Sequence, residues 1–269
     1  MISATHEPGI ALRDYGLAEL AAAIDALGLR GRDVHDGIHQ ARKAIRRTRA
    51  MLTLGESTLG PGAELIDRQL RRVNQRLSPL RDAHALVETF DRLKTKVRDN
   101  ATGAALEDAR RIVARQRAAM VRDPDLPNVL QHEQAILVTM RAALVGLPWE
   151  TLRTASVTEA IADATRTADA ARKRACASDD ANAWHRWRRR MRRISQQRRA
   201  ATAAGVLVPD DGFDKHLTEQ LGVLQDLSLL IAACDKRSPF PAHRAVLRRF
   251  AVRTLARQLK RLRSVVASR

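Results

Sequence analysis

His39 is followed by Arg42, Lys43, Arg46, Arg47 and Arg49, so cations stand at +3, +4, +7, +8 and +10 from a histidine. At about 100° per residue, all five fall within roughly a third of a turn of His39 on a helix. Ile38, Ala41, Ile45, Thr48 and Leu52 take the other side. The pattern returns 146 residues later, with His185, Arg188, Arg189, Arg192 and Arg193 on one face and Trp184, Trp187, Met191 and Ile194 on the other. An arginine presents a planar fork that binds phosphate with two parallel hydrogen bonds. Neither stripe holds an acid at i±4, the spacing at which a solvated helix pairs its charges. Such stacked cations repel one another in the free helix and call for an anionic ligand. Acids are also missing between Ala181 and Pro209, and from Lys236 to Arg269, where Arg249, Arg253, Arg257 and Arg261 form an i+4 row. Arg110, Arg111 and Arg115 offer a further basic row.

The bulk composition agrees. The 269 residues hold 48 Lys plus Arg against 30 Asp plus Glu, a net charge of +18, and 41 of those cations are Arg. A charge this large favours nucleic acid or another polyphosphate as partner. Only eight aromatic residues occur, too few for the stacking platforms that single-stranded nucleic acid requires. No helix-turn-helix, zinc finger, RRM or OB pattern is visible. Duplex backbone, or an anion without bases, remains. Cys176 and Cys234 form no CxxC or Cys/His cluster, so no metal is expected and a reduced, cytosolic setting fits. The chain shows no Walker loop, no paired metal carboxylates and no nucleophile–base pair. No catalytic residue and no cofactor are therefore expected. His39 and His185 could accept a phosphoryl group, but the arginines stacked around them favour a bound phosphate.

The elements that must position these residues are helices. Ala, Leu and Arg recur on a helical period, and β-branched alternation is missing, which predicts an all-α fold. The expected helices are Leu12–Leu27, Val34–Leu54, Ala63–Val97, Gly103–Arg122, His132–Leu144, Val157–Cys176, Asp180–Ala204, Asp210–Asp235 and Pro241–Val266. A second repeated motif follows the first. Leu77-Ser78-Pro79-Leu80-Arg81-Asp82 parallels Leu221-Gly222-Val223-Leu224-Gln225-Asp226 at an offset of 144. Two motifs in the same order at nearly the same spacing indicate a tandem duplication. The seam falls near Gly146–Thr154, giving halves 1–148 and 149–269, each expected to be a helical bundle. The stretch Met1–Glu7 lacks the basic and apolar regions of a secretory signal, and the longest apolar run is too short to span a bilayer, so no membrane role is expected.

At these residues the sequence resembles the CHAD family, the conserved-histidine α-helical domain. The family's opening helix reads Val-His-x-x-Arg-Val-x-x-Arg-Arg-x-Arg, and Ile38 to Arg49 is similar to it. Arg71 with Leu77–Asp82 resembles the next motif, a basic residue then Leu-Gly-x-Leu-Arg-Asp, with Ser78 in place of the glycine. Trp184 to Arg192, and Lys215 with Leu221–Asp226, resemble the second-half motifs. The resemblance implies two pseudo-symmetric four-helix bundles with basic helices facing a central channel. It also implies binding of inorganic polyphosphate, often at cytoplasmic polyphosphate granules. On that likeness His39, Arg42, Lys43, Arg46, Arg47, Arg49, Arg71 and Arg76 would hold the anion from one half. His185, Arg188, Arg189, Arg192, Arg193 and Lys215 would hold it from the other. Asp82 and Asp226 would orient arginines. Some members of the family follow a triphosphate-processing domain marked by Glu-x-Glu-x-Lys, which is missing from this chain. Competing readings are a nucleic-acid backbone binder, with nucleic acid otherwise a weaker competitor, and a regulator or enzyme of polyphosphate metabolism.

Overall fold

A computed structural model of the chain describes residues 8–97, 99–208 and 215–267. Among them the chain forms ten α-helices and no strand. They are α1 (Pro8–Leu27), α2 (Val34–Leu52), α3 (Gly60–Arg76), α4 (Ser78–Lys94), α5 (Asn100–Val121), α6 (Leu126–Val145), α7 (Thr154–Cys176), α8 (Ala181–Ala203), α9 (Lys215–Ala233) and α10 (Arg244–Ala267). The all-α expectation holds. The single helix expected over Ala63–Val97 is two, broken at Leu77. Pro79 explains the break: its ring would clash with the carbonyl four residues back, and it has no N–H to donate. Near the start of a new helix that missing donor costs nothing. The expected helix from Asp210 begins at Lys215, and residues 210–214 lie outside the described residues.

The helices sort into two compact units. One comprises Met1–Pro79, Pro124–Ala168 and Arg190–Phe213, the other Leu80–Asp123, Asp169–Arg189 and Asp214–Arg269. Each unit draws residues from both sides of position 148, so the units are a different division from the sequence halves. Boundaries between them fall inside α4, α7 and α8.

In the first unit α1 packs on α2 and α6, and α3 packs on the same two helices, closing a ring of four. The apolar stripe of α1, Leu12, Leu20, Ala23 and Leu27, is buried. So is the stripe Ile38, Ala41, Ile45, Thr48 and Leu52 of α2, which leaves the cationic stripe on the opposite side. Burying one such leucine or isoleucine contributes about 1.5–3 kcal/mol. Two glycines allow α1 and α2 to approach closely. A Cβ at Gly37 would run into the Ala26 carbonyl, and one at Gly16 would run into the Met51 side chain.

The second unit gathers Val87, Phe90 and Leu93 of α4, Leu106, Ala109 and Val113 of α5, Leu227 and Leu230 of α9, and Leu247 and Ala251 of α10 into one core. Phe90 meets Phe240 edge to face, with ring centres 5.7 Å apart.

Candidate functional site

The α2 stripe carries its cations half-buried rather than fully solvated: His39, Arg42, Lys43, Arg46, Arg47 and Arg49 are all of intermediate exposure. Two of them meet carboxylates from other helices. Arg47 Nη1 donates to both oxygens of Glu19, on α1, at 3.1 and 3.2 Å. Arg49 grips Asp67, on α3, through Nε at 2.8 Å and Nη2 at 3.1 Å. Arg42 Nη1 donates to the backbone carbonyl of Asn74 and, at 2.8 Å, to Ser78 Oγ. That carbonyl belongs to the last turn of α3, where carbonyls lack helical partners and the helix dipole is negative. Nothing neutralises this stripe along its own helix, but across the fold Glu19, Asp67 and the C-terminal end of α3 do so in part. Beneath it, burial pushes the Tyr15 hydroxyl up to about 12; Glu19 adds to the shift, while Arg47 and Arg199 oppose it.

Arg76 is likewise engaged. Its Nε and Nη2 hold the two oxygens of Glu133, with Nη2 to Oε2 at 2.8 Å. Glu133 lies on α6 with only 1% of its surface exposed. A carboxylate so buried must be paired. The hydrogen bond to Glu133 also raises the Arg76 pKa above the ordinary arginine value. Arg71, one turn earlier, is exposed.

The second stripe lies along α8. Its apolar face is buried at Trp184, Trp187 and Ile194, with Met191 half-buried. The two tryptophans meet edge to face at 5.7 Å. They pack as core, as their place on the helix predicts. Arg189, Arg192 and Arg193 are exposed and Arg188 is half-buried. Lys215 opens α9, but its side chain lies outside the described residues. His185 departs from the picture of an outward-facing ligand. It is 8% exposed, and its Nε2 shares a 2.9 Å hydrogen bond with Ser228 Oγ of α9. Burial, reinforced by Arg188 and Arg189 and opposed by Asp180, lowers its pKa below 6.5.

The C-terminal part of α8 belongs to the first unit and reaches the end of α2. Gln197 Nε2 donates to Thr53 Oγ1 at 2.8 Å. Arg193 lines a cleft of about 250 Å³ with Thr53, Glu56, Glu64, Asp67 and Arg68. Its surroundings are mixed in charge. Crowding by protein atoms lowers its pKa, Asp67 and Glu56 raise it, and Arg49 and Arg190 lower it. Cations from both repeat copies, Arg49 and Arg193, thus sense one another within this unit.

Sequence reasoning passed over the carboxylates Glu19, Asp67 and Glu133, and the hydroxyls Ser78 and Ser228. They stand 18 to 57 residues from their partners, so no local spacing announces them. Asp226 does orient an arginine, but that arginine is Arg92 of α4, held through two 2.8 Å bonds, with Thr89 Oγ1 donating to the same carboxylate. The further row of Arg110 and Arg111 is paired as well, with Asp91 and Asp108. On α10, by contrast, Arg249, Arg253, Arg257 and Arg261 are all exposed. Among the described residues no group of three or more His, Cys, Asp or Glu is arranged to hold a metal ion. No helix among them is long and apolar enough to cross a membrane.

The whole chain is similar to a solved structure, PptA from Streptomyces chartreusis. The TM-score is 0.65 at 19% identity, covering 97% of this chain and 99% of that one. At that identity the likeness establishes a common fold. No curated protein matches the chain. The CHAD domain family model matches residues 14–235, which include both His-led stripes. With four ordered motifs and most of its length inside that match, the chain belongs to the CHAD family.

Proposed function

We propose that this protein binds inorganic polyphosphate without transforming it, and that it does so in the cytoplasm, at polyphosphate granules. The observation that carries the reading is α8: an acid-free run from Ala181 to Pro209 with Arg189, Arg192 and Arg193 on an exposed face. Exposed guanidinium forks at helical spacing suit a chain of phosphates, each offering oxygens to a bidentate donor. Family membership supports the same ligand. The scarcity of aromatic residues counts against any ligand read through its bases.

The test is competition. Labelled polyphosphate bound to the protein is challenged with duplex DNA at matched phosphate concentration, across a series of NaCl concentrations. Polyphosphate should resist displacement, and its affinity should fall steeply with salt because binding releases counterions. Equal displacement by DNA would transfer the reading to nucleic acid. Release of orthophosphate from polyphosphate, with or without Mg²⁺, would make the protein an enzyme.

A further inference from the structure

Helices of this protein that face solvent mix their charges. On α7, Arg166 meets Asp163 and Arg172 meets Asp169, each pair one turn apart. On α5, Arg111 meets Asp108 in the same way. α10 is built otherwise. From Lys236 to Arg269 the sequence has eleven Lys or Arg and no acid. At about 100° per residue, Arg249, Arg253, Arg257, Lys260 and Arg261 fall within a third of a turn, and all five are exposed. Leu247, Ala251, Leu259 and Leu262 on the far side are buried, where α10 packs on α9 and α5. Among the described residues Asp179 is the carboxylate that pairs with α10, and it meets Arg263, outside that group of five. Arg257 also donates to Thr254 Oγ1 at 3.3 Å, a neutral acceptor that leaves its charge uncompensated. Like charges at i+3 and i+4 repel one another. The fold that brings carboxylates to Arg47, Arg49, Arg76 and Arg110 brings none to this row among the described residues.

The geometry narrows the class of anion. The apolar side of α10 is already core, so it is not available to a bilayer. Phe250 is the one aromatic residue of α10 and packs against that core, so no ring stands among the cations to stack a base. The ligand must be held by its backbone charge alone. The row Arg249, Arg253, Arg257 and Arg261 drifts about 40° around the helix at each step and spans about 18 Å. A flexible phosphate chain can follow that curve. Duplex DNA, stiff over about 150 base pairs, meets only part of it. The row also lies beyond residues 14–235, which match the CHAD family model, and outside both His-led motifs.

We propose that the outward face of α10 is a second polyphosphate-binding surface, separate from the stripe on α8, so that one molecule holds two polyphosphate segments and ties them together. This inference rests on the polyphosphate reading and adds to it a cross-linking function.

The experiment titrates the full chain with a size-selected inorganic polyphosphate about as long as the row, and reads stoichiometry and affinity by calorimetry. The wild type should bind two short chains. Arg253→Glu with Arg257→Glu should bind one, and so should Arg189→Glu with Arg192→Glu. Arg253→Gln with Arg257→Gln should weaken the α10 site by at least about tenfold and lower its salt slope by about two, one for each lost phosphate contact. These α10 positions are exposed and the substitutions relieve repulsion, so helicity and melting temperature should be retained. With long polyphosphate the wild type should form cross-linked particles, read by light scattering, and the α10 variants should not. One short chain per wild-type molecule overturns the second surface, as does wild-type stoichiometry and affinity in the α10 variants. If that single chain is lost in Arg189→Glu with Arg192→Glu, the proposed function still stands. Duplex DNA binding that the α10 variants lose, with polyphosphate stoichiometry unchanged, would give the row to nucleic acid and overturn the inference. A wild type that binds no polyphosphate overturns the proposed function and this inference with it.

Discussion

The stripes of α2 and α8 are close to identical as patterns, yet the fold treats them differently. Along α2, Arg47 and Arg49 meet Glu19 and Asp67, and Arg42 closes the end of α3. Along α8, Arg189 and Arg192 stand exposed on a helix with no acid of its own, Arg193 shares a cleft with Glu56, Glu64 and Asp67, and the leading histidine is buried against Ser228. A motif specifies which residue types face one way. Which of them stay available to a ligand depends on what distant segments deliver to that face. In this chain α1 and α3 deliver carboxylates to the first copy. The first stripe consequently stabilises the fold to a greater degree, and the second is the better candidate for holding a polyanion.

The largest expected effect tests that division directly. Arg189→Glu with Arg192→Glu should reduce polyphosphate affinity on the order of a hundredfold, since each reversal removes one phosphate contact and adds a repulsion, at about 1.4 kcal/mol per tenfold. The melting temperature should stay near that of the wild type. Arg47→Glu should behave in the opposite way, because it sets two carboxylates together over Tyr15. Its main effect should be lost stability, read by thermal melting. If Arg47→Glu abolishes binding with the melt unchanged, the two stripes are equivalent in holding the ligand.

Arg76 and Arg71 sharpen the same contrast on α3. Arg76→Ala leaves the Glu133 carboxylate buried without its partner. A lost hydrogen bond to a charged group costs about 1.5–3 kcal/mol, and the exposure of Arg76 keeps the figure near 2. For a chain of this size that is a fall in melting temperature of about 4–8 °C. Arg71→Ala, at an exposed position, should change the melt by a degree or less. Arg49→Ala should fall between them, at about 1 kcal/mol, since its pair with Asp67 is bidentate but only partly buried. Equal melts for Arg76→Ala and Arg71→Ala would deny the pair with Glu133 any structural weight.

What was legible in the sequence follows from this physics. Helix type and buried faces depend on periodicity within about twenty residues, so Ile38, Ala41, Ile45, Trp184 and Trp187 are correctly placed in the core. The repeat is equally local in its evidence, since it needs only two pairs of motifs. The break at Leu77 is encoded locally by Pro79, which cannot continue α3 and sits in the first turn of α4. Pairing was not legible. Glu19, Asp67 and Glu133 read as ordinary surface acids until α1 and α3 are packed against α2, and α6 against α3. The burial of His185 was hidden for the same reason: the wheel places it beside Arg188, and only the approach of α9 with Ser228 covers it.

His185 gives the smallest expected effect and the finest test of the difference between the copies. Its Nδ1 is buried without a hydrogen-bond partner among the described residues. A buried N–H donor left unpaired is costly, so the neutral ring carries its proton on Nε2, which donates to Ser228 Oγ. Protonating Nδ1 would place a charge in a buried site beside Arg188 and Arg189, which is why the folded-state pKa lies below 6.5. The unfolded chain binds that proton at its ordinary pKa. Stability is therefore fully present above about pH 6.5 and declines as pH falls below it, because the unfolded state then holds more protons. The wild type should lose a few more degrees of melting temperature between pH 7.5 and pH 5.5 than His185→Gln, which keeps a donor for Ser228 but cannot titrate. Equal pH dependence in the wild type and His185→Gln would show that the second-copy histidine is as free to take up a proton as an exposed one, and this difference between the copies would be lost.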